Sequence, residues 1–196
     1  MLSLATTRVC RASCGIAISK DVGEEGANPS PLFAMVVIER LDDIKLVIDK
    51  GVMEQYYDVY FDIHPRAQKV PLPYPYHESI NKWMIMKRPM MNALKQKWKD
   101  FIVWFVKEQG CDNLRITRCD IEFDTFYSTG RRHDTDNSCP KFIIDGLCES
   151  GMLVDDDSNH VASLLLKCFV DRDRPRTEIY IKNIEVEKKE NENGEE

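Results

Sequence analysis

The sequence lacks several patterns that define common classes of protein. Its longest apolar run, Leu32–Ile38, is far shorter than the roughly 20 residues of a membrane-spanning helix. It contains no C-x-x-C pair, no glycine-rich loop of the kind that cradles phosphates, and no histidine spacing typical of zinc sites. We therefore expect no membrane span, no P-loop and no zinc centre. The seven cysteines are expected to be reduced thiols of a cytoplasmic protein.

A strong charge of one sign is also missing from most of the chain. The net charge of −6 over 196 residues argues against a protein that binds polyanions non-specifically. The charge is nevertheless uneven: residues 185–196 hold six acids and two lysines, whereas residues 82–99 hold six basic residues and no acid. The composition predicts a disordered acidic tail at 187–196 and a locally basic segment inside an acidic protein.

The first 54 residues show little pattern, and we assign them to an N-terminal extension of unknown role. Residues 1–20 contain no acid, which fits either a transit peptide or a start codon placed too far upstream. The short apolar segments 33–41 and 44–48 fit a strand or a helix, and the sequence alone does not decide between them.

Clearer periodic patterns lie between residues 55 and 186, which we predict to form one domain. The aromatic and β-branched segment 56–65 predicts a strand, and the proline-rich segment 69–81 a loop. A helix is predicted from Pro89 to Gln109, with one apolar stripe, and a short helix from Pro140 to Gly151. Strands are predicted near 114–127, 160–170 and 176–186. The order β, α, β, α, β, β predicts an α/β (α+β) fold, a mixed sheet packed with two main helices.

The segment "RRHDTDNSCPK" places Asp134 and Asp136 just after a predicted strand. If the extended backbone continues, residues two apart point to the same side, so both carboxylates face one point. Their repulsion is relieved by a shared proton or a cation, and Mg²⁺ prefers such oxygen ligands. Asp155 and Asp156 follow the short helix and reach the same point only if the chain folds back. Acid clusters of this kind are also common in solvated loops.

Lys141 lies in the first turn of the short helix, where side chains lean towards the helix N-terminus and hence towards Asp136. There it could neutralise a phosphate or a negative charge that develops during hydrolysis. The competing interpretation is an ordinary i, i+4 ion pair with Asp145.

The combined pattern "RRHDTDN…K…DGL…GMLVDDDSNHV" resembles the RusA family of Holliday junction resolvases. The likeness extends upstream to "SINKWMIMKRPMMNALKQKWKDFIVWFVKEQG", similar to an asparagine-containing loop and a basic helix. Downstream, "LLLKCFV…RTEIYI" is similar to a closing strand pair. The chain departs from the shortest form of the motif by one extra residue before Lys141. It also has three consecutive aspartates, Asp155–Asp157, where the motif has two, so the sequence leaves open which of them binds the metal.

The resemblance implies a Mg²⁺-dependent endonuclease, with Mn²⁺ as a possible substitute, that cuts Holliday junctions or other branched DNA as a homodimer without a small-molecule cofactor. By position it implies catalytic roles for Asp134, Asp136, Asp156 and Lys141, and metal binding by Asp134, Asp136, Asp156 and Asp155. The DNA-contacting residues expected from the basic segment and its surroundings are Asn81, Lys82, Lys87, Arg88, Lys95, Lys99, Arg131 and Arg132.

Aromatic residues offer a further means of contacting DNA. Trp83 and Tyr76 could stack on exposed bases, whereas Trp98 and Trp104 of the helix are expected in the core. Two functions other than cleavage stay open. One is a junction-binding accessory protein without catalysis, and the other is an interaction module that uses the tail and the N-terminal segment.

Overall fold

The structure, a computed structural model, describes residues 38–187. The segment 1–20, predicted as a transit peptide or the result of a misplaced start, lies outside the described residues. The same holds for the disordered tail predicted at 187–196, except that its first residue, Glu187, ends the last strand. The described elements are β1 (Ile38–Leu41), β2 (Ile44–Asp49), α1 (Lys50–Ile63), α2 (Ile80–Trp83), α3 (Arg88–Glu108), β3 (Ile116–Tyr127), a 3-10 turn (Thr135–Ser138), α4 (Lys141–Glu149), β4 (Val161–Val170) and β5 (Arg176–Glu187).

The strands form one mixed sheet in the order β1-β5-β3-β4, with β2 also paired to β5. Strand β4 runs parallel to β3, whereas β5 runs antiparallel to β3. The predicted α+β fold with a mixed sheet is therefore confirmed. Because β3 lies between β4 and β5, the two closing strands do not pair with each other.

One face of the sheet is apolar and is covered by the two main helices. Along β3, buried Ile121 and Phe123 alternate with the more exposed Glu122 and Asp124. The predicted stripe of α3 is confirmed, since the side chains that form it pack in the same core as the buried strand residues. Those α3 side chains are Trp98, Phe101, Ile102 and Phe105, with Leu94 and Trp104 partly buried.

The strand predicted at 56–65 is wrong, because this segment belongs to helix α1. Asp49 caps the helix: its Oδ1 accepts a hydrogen bond from the backbone N–H of Val52 at 3.1 Å. Met53, Tyr56 and Tyr60 fall on one helical face against the core, so burial of this face outweighs the strand preference of the aromatic residues.

The segments that the sequence left undecided contain strands β1 and β2, both antiparallel to β5. The domain boundary predicted between residues 54 and 55 falls inside α1, and the described part of the sheet includes strands that precede it, from Ile38 onward. Residues 64–79 form a loop that contains most of the one predicted at 69–81, whose last two residues belong to α2. The loop is fixed by hydrogen bonds from Tyr57 Oη to the Leu72 carbonyl (2.5 Å) and from Thr177 Oγ1 to the Pro75 carbonyl (2.7 Å). None of the helices within 38–187 combines the length and apolar character needed to cross a membrane.

Candidate functional site

Three segments meet at the N-terminal end of α4: the 3-10 turn before it, the first turn of the helix, and the loop of residues 154–160. The 3-10 turn is closed by local hydrogen bonds, from Asn137 N–H to the Asp134 carbonyl (3.1 Å) and from Ser138 Oγ to the Thr135 carbonyl (2.5 Å). The turn therefore breaks the extended backbone assumed for the Asp134/Asp136 pair. Residues two apart in a 3-10 turn point in different directions, so strand alternation does not align these two carboxylates.

Asp134 and Asp136 are exposed and form local contacts. Asp134 Oδ1 lies 3.4 Å from the Nε atom of the highly exposed Arg132. Asp136 Oδ1 accepts a hydrogen bond from the backbone N–H of Asn137 at 3.0 Å. Both contacts are made within the same short segment, so they do not tie these acids to the loop at 154–160.

Lys141 and Asp156, distant in the sequence, are brought together by the fold. The Lys141 Nζ atom lies 3.3 Å from Asp156 Oδ2 and 3.4 Å from Asp145 Oδ1. Partial burial opposes the charged form of Lys141, but the carboxylates of Asp145 and Asp156 outweigh it and raise the pKa of the ammonium group. Lys141 therefore stays protonated, which suits it to stabilise negative charge and not to act as a general base. The i, i+4 pair with Asp145 is therefore present, and the second carboxylate in contact with Lys141 is that of Asp156 and not that of Asp136, towards which the side chain was expected to lean.

Asp145 is the least exposed acid of this group and is held by two lysines. Its side chain is 13% exposed, and Lys95 of α3 approaches its Oδ2 atom to 2.7 Å. One turn further along both helices, Lys99 forms an ion pair with Glu149. Lys95 and Lys99, predicted to contact DNA, thus point towards α4 and join the two helices through ion pairs.

Each of the three aspartates of the loop has different contacts. These contacts bear on which aspartate corresponds to the later acid of the motif, a choice that the sequence left open. Asp155 Oδ1 accepts the backbone N–H of Asp156 at 2.7 Å, and Asp156 faces Lys141. Asp157 accepts hydrogen bonds from His160 Nδ1 (2.6 Å) and from the backbone N–H of Asn159 (2.9 Å). These bonds, the one from His160 first, lower the pKa of Asp157. Asp157 therefore fixes the loop, and Asp156 is the acid directed at Lys141.

Two clefts meet at Asp156. One has a volume of about 400 Å³ and is lined by Lys95, Lys99, Asp145, Cys148, Glu149, Asp155 and Asp156. The other, of about 300 Å³, is lined by Cys139, Lys141, Ile144, Asp156, Ser158, Val161 and Leu164. Asp156 thus lines both clefts.

The chemistry of the carboxylates that line the first cleft suits a hard divalent cation. On this chain, Asp155 and Asp156 are the residues that would hold it, since they are adjacent and both face that cleft. Within residues 38–187, the group whose metal-ligating atoms lie within 4.8 Å of one another is Asp155, Asp157 and His160. The predicted set of Asp134, Asp136 and Asp156 does not form such a group in the described chain.

His77 is a positioning residue that the sequence did not reveal. It is 5% exposed, its Nδ1 lies 2.7 Å from the carbonyl of Glu78, and its Nε2 lies 3.3 Å from the backbone N–H of Phe142. With Nδ1 as the donor, the neutral imidazole accepts a hydrogen bond from the first turn of α4. Burial lowers the pKa of His77, in keeping with a neutral ring. His77 therefore supports the helix end that carries Lys141, an effect that no local motif signals across 65 residues.

The remaining residues predicted to contact DNA are exposed. These are Asn81, Lys82, Lys87, Arg88, Arg131 and Arg132. Trp83 is partly buried against Phe142, with ring centroids 5.1 Å apart, and Tyr76 packs against Tyr127 at 4.9 Å. The expectation that Trp98 packs in the core is confirmed, and Trp104 is partly buried against the same core.

No protein-family model matches the chain, and a search of curated proteins finds no match.

Proposed function

We propose that this protein is a Mg²⁺-dependent endonuclease that cuts branched DNA, with Lys141 and the aspartates of the following loop at its active site. The observation that carries the proposal is the contact between the Lys141 ammonium and the Asp156 carboxylate at 3.3 Å, beside Asp155 in an open cleft. Hydrolysis of a phosphodiester needs a positive group near the phosphate and acidic residues that hold a cation, and the pairing of Lys141 with Asp156 beside Asp155 supports these roles.

Each residue has a defined part in this proposal. Asp155 and Asp156 would hold Mg²⁺, which when bound polarises the phosphodiester and activates water. Lys141 stabilises negative charge on the phosphate through its protonated ammonium. Asp145 and Lys95 hold Lys141 and α4 in place, while His77 supports the helix end from the other side.

The substrate is proposed from the charge distribution together with the resemblance to RusA-type resolvases. The exposed cations Lys82, Lys87 and Arg88 lie around the start of α3, and Arg131 and Arg132 lie next to the 3-10 turn. Both sets flank the elements that carry the site, so DNA bound to them would cross the first turn of α4. Action as a homodimer in the cytoplasm, with reduced thiols, is part of the same proposal.

The test measures cleavage of a synthetic four-way junction and of a linear duplex by the full chain with Mg²⁺, Mn²⁺ or a chelator. Asp156→Asn and Lys141→Met should abolish cleavage while junction binding, measured in the presence of the chelator, is kept. The matched control is Asp173→Asn, an exposed acid in the turn between β4 and β5, which should cut like the wild type. Unchanged cleavage by Asp156→Asn would remove this residue from the active site.

One observation favours a second candidate, a junction-binding accessory protein without catalysis. Asp156 is engaged by Lys141, Asp145 by Lys95 and Glu149 by Lys99, so lysines pair with three of the four carboxylates that line the first cleft. Salt-sensitive and selective binding of junctions, with no cleavage in Mg²⁺ or Mn²⁺, would support this function.

A further inference from the structure

The turn between α2 and α3 presents large apolar side chains to solvent. Ile85 is 85% exposed, the highest value of any large apolar side chain within residues 38–187, and Met84 (65%) and Met90 (61%) lie close to it in the sequence. These three side chains make up the apolar tip of the turn. Exposed apolar groups with polar residues around them often mark a site of interaction.

The turn is held in place by its backbone and by an aromatic anchor. The N–H of Met86 donates a hydrogen bond to the Trp83 carbonyl at 3.2 Å. The ring of Trp83 packs on Phe142 of α4, with ring centroids 5.1 Å apart. The tryptophan expected to stack on DNA bases therefore holds the turn against the protein, and the side chains directed to solvent are those of Met84 and Ile85.

The anchor places the turn beside the candidate site. Phe142 directly follows Lys141 in the first turn of α4, and helix α2 lies next to the 3-10 turn. Ile85 is two residues from Trp83, so its backbone lies within about 7 Å of the backbone of that anchor. The apolar tip is therefore near the end of α4 at which the proposed function places the phosphate.

The charged residues next to the apolar tip are all cations. Residues 79–99 contain no acid, and Lys82, Lys87 and Arg88 in this stretch are exposed. None of these three forms an ion pair with a described residue, whereas Lys95 and Lys99 are paired with acids of α4. Their positive charges are therefore available to phosphates, so the surface combines an apolar tip with phosphate-binding groups.

We propose that the apolar tip, with Ile85 foremost, inserts between neighbouring bases at the branch point of DNA while the adjacent cations hold the phosphates. Isoleucine and methionine are among the side chains that proteins insert into a base step to unstack it. Unstacking costs least where bases are already poorly stacked or unpaired, so insertion favours a branch point over a continuous duplex. The inference rests on the proposed function for its substrate, and it makes Ile85 a specificity-determining residue.

The size of the apolar tip favours DNA over a lipid surface, the other partner that binds apolar side chains flanked by cations. Attachment to lipid strengthens with the apolar area that is buried, and three side chains supply little of it. A base step, in contrast, is opened by one or two inserted side chains, which matches Met84 and Ile85.

Fluorescence of 2-aminopurine, which rises when this base is unstacked, tests the insertion. The probe is placed next to the branch point of a four-way junction and, as a comparison, within a linear duplex, and the full chain is added in the presence of a chelator. The wild type should raise the fluorescence of the junction and not that of the duplex. Ile85→Ala should lose most of this rise and bind the junction about tenfold more weakly, because it removes apolar surface that insertion buries. The matched control is Ile63→Ala, at an exposed isoleucine that ends α1, and it should behave like the wild type.

Two further measurements on Ile85→Ala separate insertion from other roles of this side chain. The slope of log affinity against log salt should equal that of the wild type, because no ionic contact is removed. The Tm should also be unchanged, since Ile85 is exposed. A clear fall in Tm would show that the side chain is covered within the folded protein and would overturn the inference.

Two other results would also overturn it. One is equal junction affinity and equal fluorescence for Ile85→Ala and the wild type. The other is binding to phosphatidylserine vesicles that Ile85→Ala abolishes while junction binding is kept. Cleavage of junctions without a rise in fluorescence would refute the insertion and leave the proposed function standing. A rise that depends on Ile85, with no cleavage in Mg²⁺ or Mn²⁺, would support the insertion and refute the proposed catalysis.

Discussion

The contact between helices α3 and α4 depends on Gly146, which makes the substitution Gly146→Ala a sharp test of the structure. A Cβ atom at this position would lie 2.7 Å from Ile102 Cβ and 2.9 Å from Ile102 Cγ2. The nearest of these atoms, Ile102 Cβ, is fixed to the backbone, so no change of rotamer relieves the contact. The two helices must separate by about 1 Å to restore ordinary van der Waals distances.

Two opposing effects set the size of the change. Alanine in place of glycine favours a helix by up to about 1 kcal/mol. Overpacking of a dense core costs about 1–3 kcal/mol, and here the backbone must move. Ile102 is fully buried, so solvent offers no space for the shift. We expect a net loss of about 1–2 kcal/mol in the free energy of unfolding, a fall in Tm of roughly 2–8 °C for a chain of this size.

Urea and thermal unfolding of the full chain measure this change, with Gly51→Ala as the matched control. Gly51 lies in helix α1, and the nearest atom to a Cβ built there is Asp49 Oδ1 at 3.4 Å. Gly51→Ala should therefore leave stability unchanged or raise it slightly. If Gly146→Ala were as stable as the wild type, the close approach of α3 and α4 would be incorrect. The ion pair between Lys95 and Asp145 across these helices would then lose its structural basis.

Three further predictions concern single side chains. Burial lowers the pKa of His77, so the unfolded chain binds a proton at this imidazole more strongly than the folded chain does. The stabilisation that the neutral ring contributes is therefore present above the unfolded pKa of about 6.5 and is lost as the pH falls. Urea unfolding from pH 7.5 to 5 should show a weaker pH dependence for His77→Gln than for the wild type, and equal slopes would contradict a buried neutral imidazole. Lys87→Ala should lower the slope of log affinity against log salt by about 1 for junction and duplex alike, as measured by fluorescence anisotropy. Lys95→Met should instead leave that slope unchanged and cost about 1 kcal/mol of stability, because it removes a partner of the largely buried Asp145; a reduced slope would place Lys95 on the DNA.

The elements with strong local periodicity could be predicted from the sequence, and those that depend on tertiary contacts could not. Helix α3 follows from its apolar stripe and from Pro89 near its start, and β3 from its alternation. Helix α1 was missed because tyrosines and valines are common in strands, and its cap, Asp49, directly follows the segment 44–48, whose structure the sequence left open. The order of strands depends on pairing between distant segments, which periodicity does not encode.

The candidate site divides in the same way. The short helix and its first-turn lysine could be predicted, and the loop does bring Asp156 to Lys141. The direction of the Lys95 side chain, towards Asp145 of α4, could not be predicted, because it depends on how closely α4 approaches α3 at Gly146. The alignment of Asp134 with Asp136 assumed that the strand continued, whereas local hydrogen bonds of Asn137 and Ser138 close a 3-10 turn there.

The carboxylates that line the 400 Å³ cleft differ in whether a lysine is paired with them. Lys95 pairs with Asp145, Lys99 with Glu149, and Lys141 contacts both Asp145 and Asp156. Asp155 forms no ion pair with any described residue, and its carboxylate accepts a backbone N–H from the next residue. Asp155 is therefore the carboxylate of this cleft that is left without an ion pair among the described residues, while its neighbour Asp156 faces the Lys141 ammonium, whose pKa is raised. Under the proposed function, a cation would bind at Asp155 and a phosphate near Lys141, whereas a loop of acids alone would repel the phosphate.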